Sequence, residues 1–307
     1  MKSHDRTTGI VLALGAAVVS GVSVFVNSYG VRAVPDATVY TTAKNLVAAI
    51  VLASVAAVAV RPAARTTRPR LRPRQVAGLV AVAVVGGSIA FILFFEGLAR
   101  ATSTQAAFLH KTLVIWVAVL AVAMLGERLR ALHAAAIAVL VIGQALLSGG
   151  LDGLRFGAGE WLVLAATLLW SVETVLAKWL LRELPMRYVA LTRMAGGAVL
   201  LTAWVAVSGR WSALAGLGSE GWTWVAITGL ILAGYVGLWF SALAMSPAVD
   251  VTAVLVIAAV VTGLLNVVVK GAAVTAWTAS GMLVVLLGGA LAVVAATGRP
   301  PVRLTTG

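Results

Sequence analysis

An all-α integral membrane protein of ten transmembrane helices, built as two inverted five-helix repeats, is the fold class this sequence predicts. Three observations predict it. Of 307 residues, 61% are hydrophobic and 11% charged, against about 45–50% and about 25% in a soluble domain. Apolar runs of about 20 residues, long enough to cross a hydrocarbon core of about 30 Å as a helix, recur along the chain. Slid on itself by about 145 to 151 residues, the chain brings related pieces together in the same order.

Pro, Gly, charged and polar residues cut the sequence into ten segments. The first, about 9–29, begins after MKSHDRTTG; its apolar run is long for a signal peptide and is followed by Asn27, Ser28 and Tyr29 without a small-residue cleavage site, so it is read as a retained span. The second, about 37–60, starts after Pro35 and Asp36 and gives way to a basic loop, 61–75. The third and fourth, about 76–98 and 103–125, end at Arg100 and at Gly126-Glu127-Arg128. The fifth, about 131–149, closes on a glycine pair, and the sixth, about 158–180, is bracketed by Trp161 and Trp179. The seventh to tenth, about 187–208, 221–244, 249–269 and 274–296, are separated by Gly209, Pro247 and Lys270-Gly271, and a tail, 297–307, follows.

Charge sets the expected topology. The loop RPAARTTRPRLRPR carries six arginines, and such loops collect on the cytoplasmic side. With that loop inside, 14 basic residues fall on the cytoplasmic side and 5 outside, which puts both termini in the cytoplasm. Trp161, Trp222, Trp224 and Trp277 then start outer span ends and Trp179 closes an inner one, as interface anchors do. The net charge of +13 thus reports topology and anionic-lipid contact rather than nucleic acid. The absence of cysteine excludes disulfides and thiolate metal sites.

The internal match pairs VYTTAKNLVAA (39–49) with YVALTRMAGGA (188–198), setting Lys44 opposite Arg193, and VIGQAL (141–146) with LLGGAL (286–291). Five spans is an odd number, so the second copy enters from the opposite side, the arrangement by which secondary transporters alternate access around a midplane site. The repeats are expected over 9–149 and 158–296. GLARATSTQAAFL, IWVAVLAVAMLGERL and AIAVLVIGQALLSG, in the third to fifth spans, resemble the EamA-type branch of the drug/metabolite transporter superfamily. The resemblance implies two inverted five-helix repeats, cytoplasmic termini and export of amino acids or other small metabolites without ATP hydrolysis. Where that family often has a second Gly-Glu, after the ninth span, this chain has Lys270-Gly271-Ala272.

Charges inside spans mark the candidate site, because each costs from about +2.5 to above +10 kcal/mol in lipid and so faces a partner or a wet cavity. His110 and Lys111 lie ~10–12 Å inside the fourth span at 1.5 Å per residue, and Lys44 is at similar depth in the second. With Glu96 they form an expected outer cluster; Glu173, Lys178 and Arg193 form an inner one. Glu173 and Lys178, five apart on a helix, do not face each other, so Glu173 is expected to take Arg193 or a proton as partner. Structural ion pairs between helices are the plain alternative. Of the adjacent pair, Lys111 is expected to line the path and His110 to bond elsewhere, since adjacent helix positions diverge by about 100°. Tyr40, Trp116 and Trp170 are added to the cavity set; Asn27 and Asn266 are candidate gate or interhelical hydrogen-bonding residues.

An enzyme would need convergent catalytic groups. The sequence has no His-Glu-x-x-His motif, no phosphate-binding loop and no evident nucleophile with its base, and its three histidines are too scattered for a metal centre. No metal or other cofactor is expected. The expected partners are a small-molecule substrate, membrane lipids and coupled protons, in a monomer or homodimer, and the composition suggests a bacterial cytoplasmic (inner) membrane. A channel is the second reading, with a structural or sensory membrane protein as a third; scattered cations form no evident filter.

Overall fold

The computed structural model describes residues 3–59, 71–101, 103–148 and 156–298, and every regular element among them is helical. The basic loop around Arg61–Arg70, residue Arg155 and the tail beyond Gly298 lie outside these residues. Ten long helices follow in order: α1 (Ser3–Ala33), α2 (Ala37–Ala59), α3 (Pro73–Leu98), α4 in two pieces (Ser103–Lys111 and Leu113–Leu125), α5 (Ala131–Leu147), α6 (Ala158–Leu180), α7 (Met186–Val207), α8 (Ser219–Met245), α9 in two pieces (Ala248–Leu255 and Ala258–Lys270) and α10 (Ala276–Thr297). Among the described residues, nine are long and apolar enough to cross a membrane; α5, with 17 residues, is shorter, roughly 25 Å at 1.5 Å per residue.

Local chemistry explains the helix ends. Asp36 Oδ1 accepts from the backbone N–H groups of Thr38 and Val39 at 2.9 and 3.0 Å, satisfying donors that the first turn of α2 leaves free. Thr275 Oγ1 caps α10 by accepting from Thr278 N at 3.1 Å. Pro185 and Pro247 precede α7 and α9, and Pro73 stands in the first turn of α3, where its missing N–H costs nothing. Gly126 and Gly271 end α4 and α9 with φ of 66° and 64°, a left-handed conformation that glycine adopts without a Cβ clash. Side chains such as Val58, Val207 and Val268, 78–88% exposed, turn apolar surface outward, which in a bundle of spanning helices is the lipid face.

The helix pairings come in matched sets. α1 packs on α8 as α6 packs on α3; α1 meets α9 as α6 meets α4; α2 meets α8 as α7 meets α3; and α5 packs against α10. The α5–α10 contact is reciprocal at residue level. A Cβ on Gly143 would meet Val285 N at 2.7 Å, and one on Gly288, 145 residues further on, would meet Leu140 Cγ at 2.8 Å, Leu140 being the equivalent of Val285. Reciprocity of this kind is the mark of a two-fold relation. The same spacing separates Gly126 from Gly271, and Thr112, the break in α4, from Ile257, in the break of α9.

α3 and α7 each contain a π-helical stretch, Val82–Ile89 and Thr192–Gly196, and these stretches touch. Gly87 packs on the Arg193 carbonyl and Gly197 on the Gly87 carbonyl, so closely that a Cβ at either would overlap the other chain segment. In the matching crossing of α8 over α2, a Cβ on Gly229 would lie 3.0 Å from the Lys44 carbonyl. Both intramembrane cations of the sequence repeat, Lys44 and Arg193, therefore sit where a glycine of the other half presses on their own backbone.

Candidate functional site: a cationic, aromatic cavity between the halves

A cavity of about 700 Å³ lies between the two halves, walled by residues of all ten helices, with Lys44 the contribution of α2 and Thr278 that of α10. It reaches from Arg32, Lys270 and Thr278, at one end of the bundle, inward to Glu173 and Arg193. Its size falls within the range of small-molecule sites.

Glu173 and Arg193 form its floor. Arg193 Nε donates to Glu173 Oε1 at 3.2 Å, with both side chains buried. Of the partners open to Glu173, the structure supplies Arg193. The guanidinium carbon of Arg193 lies 5.4 Å from the Phe91 ring centroid and 5.8 Å from that of Phe240, and Lys44 Nζ lies 3.8 Å from Phe95 and 5.8 Å from Phe91. Phe95 and Phe240 are 145 residues apart, so the two cations rest on equivalent rings, where the negative ring face stabilises each. Lys44 also donates to Asn27 Oδ1 at 3.2 Å, an oxygen that accepts from Tyr40 Oη as well, at 2.7 Å. Tyr40 is fully buried, spans from Asn27 to Thr228 and stands behind the wall.

Above the floor, aromatic rings close one side. Trp170 meets Phe91, Phe94 and His110 at centroid distances of 5.3, 5.2 and 5.1 Å, and its Nε1 donates to the Gly86 carbonyl at 3.1 Å inside the π-helical stretch of α3. The indole is thus fixed by the irregular turn whose carbonyl it satisfies. Tyr235 and Trp239 stack on the opposite wall. Lys111 lies beside this group at the break in α4. Its Nζ is buried with no hydrogen-bond partner among the described residues, as is His110 Nδ1. Both side chains border the cavity: a concave wall wider than the 100° between adjacent positions takes in both. Lys111 and Gln144, whose Oε1 is likewise unpartnered, also border a void of about 10 Å³, room for a single water.

The remaining sequence candidates fall elsewhere. Asn266 lines the cavity, its Nδ2 donating to the Thr262 carbonyl at 3.0 Å. Glu96 does not join Lys44, His110 and Lys111: it accepts from Thr38 at 2.7 Å and pairs with Arg100 and Arg210, tying α2, α3 and the segment after α7 at the open end. Trp116 is 38% exposed on the outside of α4, its Nε1 turned to Thr112 Oγ1, and is not on the cavity wall.

Lys178 belongs to a seal at the opposite end. Its Nζ donates to the Leu243 and Ser246 carbonyls at 2.6 and 2.7 Å. Close by, Asp250 pairs with Arg6 at 2.8 Å and with His133 at 3.0 Å, joining α9 to α1 and α5. Glu127 accepts from Ala248 N and Val249 N at 2.8 and 3.1 Å, so a carboxylate from the end of α4 caps the N-terminus of α9, where the helix dipole favours negative charge. Sequence reasoning used Glu127 only to mark the end of the fourth span and passed over Asp250 and His133. A buried acid at the first turn of a span, Asp250 in Pro247-Ala248-Val249-Asp250, was the available signal.

The fold is that of a multi-pass membrane protein with two related halves. The EamA-like transporter family matches residues 7–149 and 157–294, one match to each half, and the chain belongs to that family of the drug/metabolite transporter superfamily. A protein of known crystal structure shares the fold, with a TM-score of 0.74 at 18% identity over 94% of this chain and 98% of its own. No curated protein matches the chain.

Proposed function

We propose that this protein is a secondary active transporter that exports small metabolites, amino acids or related amphipathic and anionic compounds, across a bacterial cytoplasmic membrane by alternating access. The observation that carries the reading is the cavity itself: it sits between two reciprocal halves, opens at one end and is sealed at the other by Lys178, Asp250 and Glu127. In a two-fold pair each half can adopt the other's conformation, which would open the sealed end and close the open one. α5, packed along its length on α10 in the central contact, is read as the tenth span despite its 17 residues, the thin edge being met by local bilayer adjustment. With both termini in the cytoplasm, as the basic bias argues, the state described is outward-open. Family membership supports transport over catalysis.

Proteoliposomes loaded with a panel of labelled metabolites test this, with and without an imposed pH gradient. Saturable flux of at least one compound is expected. Substrate-independent conductance would make the protein a channel and reject the proposal.

A further inference from the structure

We propose that the cavity selects an apolar body bearing a carboxylate and no ammonium, such as an arylalkanoate, over the corresponding α-amino acid; this rests on the transport reading and specifies its substrate. Among the described residues on the wall, Arg32, Lys44, Lys111, Arg193 and Lys270 are basic, and Glu173 alone is acidic. Glu173 is already neutralised by Arg193 at 3.2 Å. Lys44 has an amide oxygen and aromatic rings as its contacts, and Lys111 Nζ has no hydrogen-bond partner among the described residues. Two buried ammonium groups without a carboxylate leave the cavity short of negative charge, and a substrate carboxylate supplies it.

An ammonium on the substrate meets the reverse situation. The one carboxylate would have to be shared with Arg193. The free carbonyl oxygen, Gln144 Oε1, borders the same small void as Lys111, so an ammonium placed there stands beside a like charge. Like-charge juxtaposition in a desolvated site is a strong device for rejecting a partner. The apolar part of the substrate has its own wall in Phe91, Phe94 and Trp170, where the indole, held by its hydrogen bond to Gly86, packs edge to face on Phe91 and tilted against Phe94.

Three compounds with one phenyl ring and one two-carbon spacer separate the charges: 3-phenylpropionate, L-phenylalanine and phenethylamine. Each is offered to the full chain in proteoliposomes and, in parallel, to the detergent-solubilised protein with tryptophan fluorescence as the binding signal. Saturable uptake of 3-phenylpropionate is expected, with phenylalanine lower by about tenfold or more and phenethylamine absent. Lys111→Met and Lys44→Met should each lower 3-phenylpropionate uptake and binding by about tenfold or more, in protein that still melts cooperatively. Equal or better handling of phenylalanine overturns the inference, and so does indifference to both lysines. If none of the three crosses but another metabolite crosses saturably, the inference falls and the transporter reading stands. If nothing crosses, the transporter reading falls and the order of binding in detergent decides the inference: carboxylate above zwitterion upholds it, any other order rejects it.

Discussion

Arg193 and Glu173 illustrate what a charge inside an apolar run commits the chain to. Neither side chain reaches an end of its helix, so each must be held by the other. Removing one partner of a buried pair leaves an uncompensated charge and costs about 3–5 kcal/mol, whereas replacing both by apolar groups is often neutral. Arg193→Met is therefore expected to lower the thermal midpoint in detergent markedly, and Arg193→Met with Glu173→Met to recover most of the loss. A double variant no more stable than the single one would assign the pair no mutual role in stability. At this scale the sequence was informative because lysine, arginine and glutamate stand out among Val, Leu and Ala: Lys44, His110, Lys111, Glu173 and Arg193 all border the cavity. Trp116 was not legible in the same way, since the second half of α4 is apolar on every face and no periodicity tells lipid from interior. Lys178 shows a different limit, because its partners are backbone carbonyls of α8 and its end, which carry no sequence signature.

Among elements, the closest contact is the crossing of the π-helical stretches of α3 and α7. Gly87 has the Arg193 carbonyl where a Cβ would go, while Gly237 in α8 has open space. Gly87→Ala is expected to destabilise the fold by pushing α3 from α7, and Gly237→Ala to be neutral or to stabilise by up to about 1 kcal/mol through helix propensity. Thermal unfolding of both variants checks this; equal effects would deny the crossing its special closeness. The helix ends were legible to within a few residues, because Pro185, Pro247, Gly126 and Gly271 mark them. The breaks at Thr112 and at Val256-Ile257 were not, as neither carries proline or glycine and each is a short stretch of tightened turns, with Ile115 N donating to Thr112 O and Ala259 N to Val256 O. The connection from α6 to α7 adds a pH dependence. Glu183 accepts from Gln75 at 2.7 Å and from Arg74 at 2.8 Å, and these, the Gln75 bond first, hold its carboxyl below the ordinary carboxylate value. A depressed carboxylate contributes stability above its unfolded pKa and loses it as pH falls through the folded one. Glu183→Gln should thus flatten the decline of thermal stability on the acid side, by a small amount because the group is exposed; an unchanged acid limb would count against the tie.

Across the whole molecule, the two halves are alike in geometry and unlike in chemistry, and the difference decides which end is shut. Glu127 caps α9 at the sealed end, while the position 145 residues further on is Ala272, which cannot cap anything. His133 and Asp250 add a buried hydrogen bond of 3.0 Å at that end. On the alternating-access reading, the state with the sealed end closed thus has a cap at Glu127 that Ala272 could not supply to the opposite state. Removing the Glu127 carboxylate leaves two N–H groups of α9 without their acceptor, at about 1–3 kcal/mol for each group left unsatisfied, and every 1.4 kcal/mol shifts the two-state ratio about tenfold. Because the chain has no cysteine, single reporters can follow the shift. Ser246→Cys, fully buried at the sealed end, should resist a membrane-impermeant maleimide in the parent, and Ala259→Cys, on the cavity wall, should react from the open side. With Glu127→Ala and Asp250→Asn added, Ser246→Cys should become reactive from the side of the termini while Ala259→Cys is protected from the other. Ser246→Cys that stays unreactive, with Ala259→Cys unchanged, would show that packing rather than these carboxylates holds the end shut; reaction of both from one side would refute alternation between the two halves.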